Sequence, residues 1–272
     1  MALQKSVSSG MAPVEGTELY YEVAGEGEPL VLLHAGFVDS RMWDPQLAPL
    51  AERFRVVRYD RRGCGKSALT GGSFSYRKDL QSLLDFLGIE RAHYIGCSVG
   101  GETVIDFALE HPERVNSLVL VSSALGGYPL QGEMPPLLKD FMAALQGKQI
   151  ERAADLAVQI WIDGPKRTAE QVDPALRAFA REMSLTALAG IFAKEESLEP
   201  SAYERLKDNQ QRRAFPALVV LGALDDDSIL QIGELLTERL GAEKFLIPEA
   251  AHLPSLEKPD KFLTKVLEFL HG

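Results

Sequence analysis

The sequence predicts an α/β fold, with a mostly parallel central sheet covered by helices on both faces. Three observations carry that expectation. Seven short runs are nearly continuously apolar and rich in β-branched residues, which marks strands buried on both faces. Amphipathic stretches of helical period separate several of those runs. With 46% hydrophobic and 25% charged residues, the 272-residue chain has the composition of a globular protein able to bury a large core.

In chain order, strands are expected at Leu19–Val23, Leu30–His34 and Arg55–Tyr59, with helical patterns at Gln46–Arg53 and Arg77–Leu87. Gly25, Gly27 and Pro29 place a turn between an early hairpin and the first buried strand. A strand at Ala92–Cys97, a helix around Glu102–Glu110 and a strand at Ser117–Ser122 follow. The alternation then stops. Between Tyr128 and Pro216 there are helical patterns but no convincing strand, and Met134, Phe141, Met142, Trp161, Phe179, Met183 and Phe192 are spread through them. Strand logic resumes at Leu218–Leu221, then a helix at Ile229–Leu240, a strand at Lys244–Ile247 and a closing helix at Asp260–Leu270.

The expected organisation is an α/β core over residues 1–127, a helical insertion over 128–216, and the rest of the core over 217–272. Such an insertion is expected to form a substrate-facing cap, because open α/β sheets bind ligands beyond the C-terminal ends of their strands. Phe37, Phe141 and Trp161 are the aromatic residues expected to line its pocket.

Composition narrows the partners. A net charge of −10 and a pI near 5.1 argue against nucleic acid or an anionic membrane surface, both of which attract basic proteins. No run approaches the roughly 18 apolar residues of a membrane span. Residues 1–13 lack the apolar stretch of a secretory signal and are expected to be a loose tail. Cys64 and Cys97 are expected to be free thiols in a reducing compartment, so the expected location is the cytoplasm.

The chemistry centres on Gly96-Cys97-Ser98-Val99-Gly100. A strand runs into Ser98 and a helix opens behind it, the context that a G-x-S-x-G nucleophile turn requires. Side chains at the flanking glycines would collide with the neighbouring strand and helix. The Val99 N–H, at the helix start, can stabilise an oxyanion. Cys97, one residue off the apex, reads as a small buried hydrophobe.

A serine hydroxyl needs a base, and the base an orienting carboxylate. Of five histidines, His252 fits as the base, in the loop Pro248–His252 off the C-terminal end of the last strand. His93 begins its strand, His111 lies where the post-serine helix ends, and His271 is in the terminal tail. Asp225 is the first carboxylate past the turn after Leu218–Leu221, whereas Asp226 and Asp227 can cap the following helix.

These residues together resemble the α/β-hydrolase superfamily from about Gly16 to Leu270, which implies an α/β-hydrolase fold. The order Ser98, Asp225, His252 is the one that fold uses. The family's alternative acid position, after the strand following the nucleophile helix, holds only Ser122 and Ser123. Leu32-Leu33-His34-Ala35-Gly36-Phe37 resembles the family's oxyanion loop, Asp60–Ser67 its D-x-R-G-x-G-x-S segment, and Ala251–Pro254 with Glu257 and Pro259 its histidine loop. Arg41–Gln46 is similar to a run in carboxylesterases and 3-oxoadipate enol-lactonases.

The family's usual Gly after the loop histidine is Ala35 here, so the second oxyanion donor is the N–H of Gly36 or of Phe37, and His34 stabilises the loop. Ser98 argues against haloalkane dehalogenases and epoxide hydrolases, which carry Asp at that position.

The resemblance implies hydrolysis of a small-molecule carboxylic ester through an acyl-enzyme, with no cofactor and no metal. Opening of an enol-lactone or perhydrolysis uses the same triad, and a binding protein on this fold is the non-enzymatic alternative. The Gly63–Ser67 segment imitates a phosphate loop, but Asp60 stands where a Walker glycine belongs and no helix begins after it.

Overall fold

The computed structural model describes residues 7–69, 73–129, 132–188, 200–207 and 215–271. Eight strands form one sheet: β1 (Ser8–Val14), β2 (Thr17–Ala24), β3 (Glu28–Leu33), β4 (Phe54–Tyr59), β5 (Ala92–Cys97), β6 (Val115–Val121), β7 (Ala217–Gly222) and β8 (Glu243–Ile247). Their spatial order is β1-β2-β4-β3-β5-β6-β7-β8. β1 and β2 are antiparallel to their neighbours, and every pairing from β4 to β8 is parallel.

Strict alternation along the strands sends side chains to two apolar layers. Leu30 and Leu32 face one layer with Val56, Ile95, Val119 and Val220. Val31 and Leu33 face the other with Val57, Tyr94, Leu118 and Val219. Burying each such side chain is worth roughly 1.5–3 kcal/mol, so both sheet faces must be covered. Helices α1 (Asp44–Ala51) and α9 (Pro259–His271) cover the first through Leu47, Leu50, Phe262 and Val266. Helices α2 (Tyr76–Phe86), α3 (Val99–Glu110) and α8 (Asp227–Leu240) cover the second through Leu80, Phe107 and Leu236. Local chemistry fixes their ends: Ser75 caps α2 by accepting from Lys78 N–H, and Gly241, with φ +63°, closes α8.

β6 and β7 pair directly, from Leu118↔Ala217 to Val121↔Val220, so the long insertion leaves and re-enters the sheet between neighbouring strands. It contains α4 (Pro136–Gln146), α5 (Ile150–Ala157), α6 (Pro174–Ala187) and α7 (Ala202–Lys207). α5 continues into a π-helical turn, Val158–Asp163. Phe141 and Met183 are buried, whereas Met134 and Met142 are 48% and 40% exposed. Phe192 lies outside the described residues.

One expectation needs correction. Residues 8–14 are not a loose tail: they form β1, which pairs with β2 along seven residues. Ala12 is its only buried residue, so it lacks the apolar alternation by which a strand is recognised. Within the insertion, α7 packs on the core, where Ala202 and Leu206 join the layer beneath α3 and α8.

Candidate active site

Three strand ends converge on one place. Ser98 follows β5 with φ +54° and ψ −121°, a conformation L-residues rarely adopt. The turn is held because Ser98 N–H donates to Val121 O at 2.9 Å and Ser98 O accepts from Glu102 and Ala124 N–H. A Cβ on Gly96 would stand 2.6 Å from Gly100 O, and one on Gly100 2.6 Å from Leu33 O, so strand, turn and helix touch by backbone. Val99 opens α3, which places its N–H at the positive end of the helix.

Asp225 and His252 meet through a second backbone contact. After β7, Ala223 N–H donates to Ile247 O and Leu224 N–H to Ala250 O, at 3.0 and 2.9 Å. A Cβ on Gly222 would lie 1.9 Å from Ala251 O, so only glycine lets the β7 and β8 loops approach this closely. Asp225 and His252 are thereby brought to 2.8 Å, with His252 Nδ1–H donating to Asp225 Oδ2. Asp225 Oδ1 accepts from Asp226 N–H at 2.8 Å. Both side chains are almost fully buried. With the proton on Nδ1, Nε2 keeps its lone pair, and that buried atom has no hydrogen-bond partner among the described residues. Asp226 accepts from Ser228 N–H as the N-cap of α8, and Asp227 pairs with Lys166.

The loop Ala35–Val38 lies opposite. A Cβ on Gly36 would stand 3.0 Å from Val99 Cγ2, which sets this loop against the start of α3. His34 is buried beneath it, donating from Nδ1 to Ala35 O at 2.7 Å and accepting at Nε2 from Arg61 N–H at 2.9 Å. Burial, and then the nearby Arg61 cation, lower the His34 pKa. The unfolded chain therefore binds this proton more readily than the folded one, and stability contributed by neutral His34 is present above the unfolded pKa and lost as pH falls below it. The urea midpoint is expected to fall as pH drops below about 6.5, with a shallower fall in His34→Gln. Equal slopes in the two proteins would remove His34 from the account.

The aromatic residues assemble around this loop. Phe37 stacks on Trp161 at 4.6 Å with an 18° interplanar angle, Phe141 meets Trp161 edge-on at 5.0 Å, and the Phe37 ring lies 6.3 Å from that of His252. Trp161 sits on the π-helical turn, and its carbonyl accepts from His252 N–H at 3.3 Å. The turn ends at Gly164, whose φ of +74° and close approach to Ala251 Cβ (2.9 Å from a Cβ) bring the insertion onto the histidine loop.

The other histidines are elsewhere. His93 bonds Ser117 and Glu28 at the start of β5, His111 packs tilted against Phe107 past the end of α3, and His271 stacks on Phe54. Cys97 is fully buried, its thiol pushed well above the usual range by burial and then by Asp225, which makes it a poor nucleophile. Burial pushes the Cys64 thiol up to about 11. The Gly63–Ser67 loop wraps the Asp60 carboxylate, which accepts from Ser40 and Lys66 N–H at 2.9 and 2.8 Å, so its amides turn inward rather than toward a phosphate. Among the described residues no cluster of three or more His, Cys, Asp or Glu could hold a metal ion, and no helix is long and apolar enough to cross a membrane. Arg167, absent from the sequence reading, reaches the histidine loop from the insertion, and nothing in Gly164-Pro165-Lys166-Arg167 marks it in advance.

Comparison with known proteins agrees with this fold. A family model of the alpha/beta hydrolase fold matches residues 28–259. A pimeloyl-[acyl-carrier protein] methyl ester esterase of Pectobacterium carotovorum is 30% identical over 259 residues, covering 92% of this chain and 98% of that protein. Carboxylesterase YbfK of Bacillus subtilis is 28% identical, covering 89% of this chain and 80% of its own. The crystal structure of the enol-lactonase from Burkholderia xenovorans LB400 superposes with a TM-score of 0.78 at 27% identity, covering 97% of this chain and all of that one. With the family match spanning most of the sequence and the eight-stranded sheet in agreement, this chain belongs to the α/β-hydrolase family and is a hydrolase.

Proposed function

We propose that the chain hydrolyses small-molecule carboxylic esters through an acyl-enzyme. The observation that carries this reading is the buried Asp225–His252 hydrogen bond, which leaves Nε2 as the available base at the sheet edge where Ser98 is presented. Ser98 Oγ attacks the acyl carbonyl as His252 Nε2 takes its proton. Asp225 holds the imidazole and stabilises the imidazolium. The N–H of Val99 and that of Gly36 or Phe37 receive the oxyanion. His252 then protonates the leaving alcohol, and a water activated by the same nitrogen releases the acid and frees Ser98. The insertion acts as a cap, with Phe37, Trp161 and Phe141 as an apolar wall for the acyl group.

A lactone is the second reading, favoured by the likeness to an enol-lactonase, because ring opening uses the same steps with the leaving alcohol still attached. A fluorophosphonate is expected to add one phosphonyl group per chain, mapped by mass spectrometry to Ser98. p-Nitrophenyl esters are expected to show a burst or steady turnover. A panel of acyl chains and lactone rings then ranks the two by kcat/KM. A chain that neither labels nor turns over any of them is a binding protein on this fold, and the proposal fails.

A further inference from the structure

Between the insertion and the core lies a cleft of about 350 Å³ whose lining includes Arg167, Leu224, Glu249 and Glu257. At this cleft one guanidinium makes four hydrogen bonds to two parts of the chain. Arg167 Nε donates to Asp163 O at 2.8 Å and Nη2 to Ile162 O, the carbonyls that end the π-helical turn carrying Trp161. Nη2 also donates to Glu257 Oε2 at 2.7 Å, and Nη1 to Glu249 O at 3.4 Å. Glu257 Oε1 accepts from Ala251 N–H at 2.8 Å, the amide just before His252. The two side chains are only 10% and 3% exposed, so neither charge is replaced by solvent if the other is lost.

We propose that Arg167 and Glu257 are a positioning pair that fixes the His252 loop and the Trp161 turn relative to each other, so that catalytic base and acyl wall are set by one contact. The pair touches neither substrate nor reacting atoms. It acts through the Ala251 amide on one side and the Ile162 and Asp163 carbonyls on the other. Lysine cannot replace Arg167, because a single ammonium cannot span four acceptors held in a planar fork.

The inference rests on the ester-hydrolase reading, and the test separates the two. Kinetics on p-nitrophenyl butyrate, divided by active sites titrated with a fluorophosphonate, are measured for Arg167→Met, Arg167→Lys, Glu257→Gln and the double variant Arg167→Met/Glu257→Gln. A displaced base costs on the order of 10–100-fold in rate without weakening binding. Arg167→Met is thus expected to lower kcat per titrated site by on the order of tenfold or more with KM within about twofold. Arg167→Lys should recover only part, and the double variant should be no worse than Arg167→Met, because the two residues act as one unit. A purely structural pair would lower Tm and the titrated fraction while leaving kcat per site within about twofold of wild type, and that result overturns the proposal. Glu257→Gln and Arg167→Lys keep the side-chain volume and decide the matter if Arg167→Met does not fold. If wild type itself neither labels nor turns over, the hydrolase reading falls and the pair's role with it.

Discussion

Ser98→Ala is expected to lower kcat on p-nitrophenyl esters by on the order of 10⁴-fold or more and to abolish fluorophosphonate labelling. What remains after removal of the nucleophile is binding and the oxyanion donors, which lie on backbone atoms that the substitution leaves in place. The fold should be unaffected, because alanine keeps the Cβ and the turn is held by backbone bonds, Ser98 N–H to Val121 O and Ala124 N–H to Ser98 O. The same position yields a stability readout of opposite sign. Ser98 is held at φ +54°, where an L-residue stores roughly 1–3 kcal/mol of strain that glycine escapes. Ser98→Gly should therefore be inactive, yet raise the denaturation midpoint relative to Ser98→Ala. Retained labelling in Ser98→Ala would sink the nucleophile assignment. A lower midpoint for glycine would show that the turn is not strained.

For Asp225→Asn the expected loss is about 10³–10⁴-fold in kcat with KM little changed. The local bonding explains why so small a change has so large an effect. Asp226 N–H donates to Oδ1, so the new carboxamide must keep its oxygen there and turn its NH₂ toward His252 Nδ1. Nδ1 then becomes the acceptor, the ring proton moves to Nε2, and the lone pair proposed to take the Ser98 proton is gone. Asp226→Asn is the control: asparagine caps α8 about as well as aspartate, so activity should stay within a fewfold. Titrated kinetics of both variants check the assignment. Wild-type-like turnover in Asp225→Asn, or collapse in Asp226→Asn, would move the acid elsewhere in the loop.

The legible parts of the molecule are those that a single segment determines. β3, β5, β6 and β7 announce themselves because burial on both faces demands apolar residues at nearly every position. Ser98 and Asp225 each follow such a strand, and His252 follows the more exposed β8, so the sheet that organises the fold also points to the candidate site. β1 was hidden because it contributes backbone bonds at an edge and only Ala12 to the interior. The π-helical turn was hidden because Val158–Asp163 carries nothing that sets it apart from ordinary helix. Arg167 was hidden for a further reason: its partner stands ninety residues away along the chain, and neither residue looks unusual in its own surroundings.

The π-helical turn also makes the site depend on residue count. Each residue of an α-helix advances about 100° around the axis, and a π turn accommodates one more residue than an α turn before the helix comes round again. α5 runs straight into Val158–Asp163, so the face on which the indole of Trp161 emerges is set by that surplus residue. Wound as an α-helix with its residue count unchanged, Val158–Asp163 would swing the indole by roughly a fifth of a turn, off the Phe37 ring. Loss of one codon within the turn, with return to α geometry, would leave the indole close to its present face, whereas loss of one codon within α5 would rotate it by about 100°.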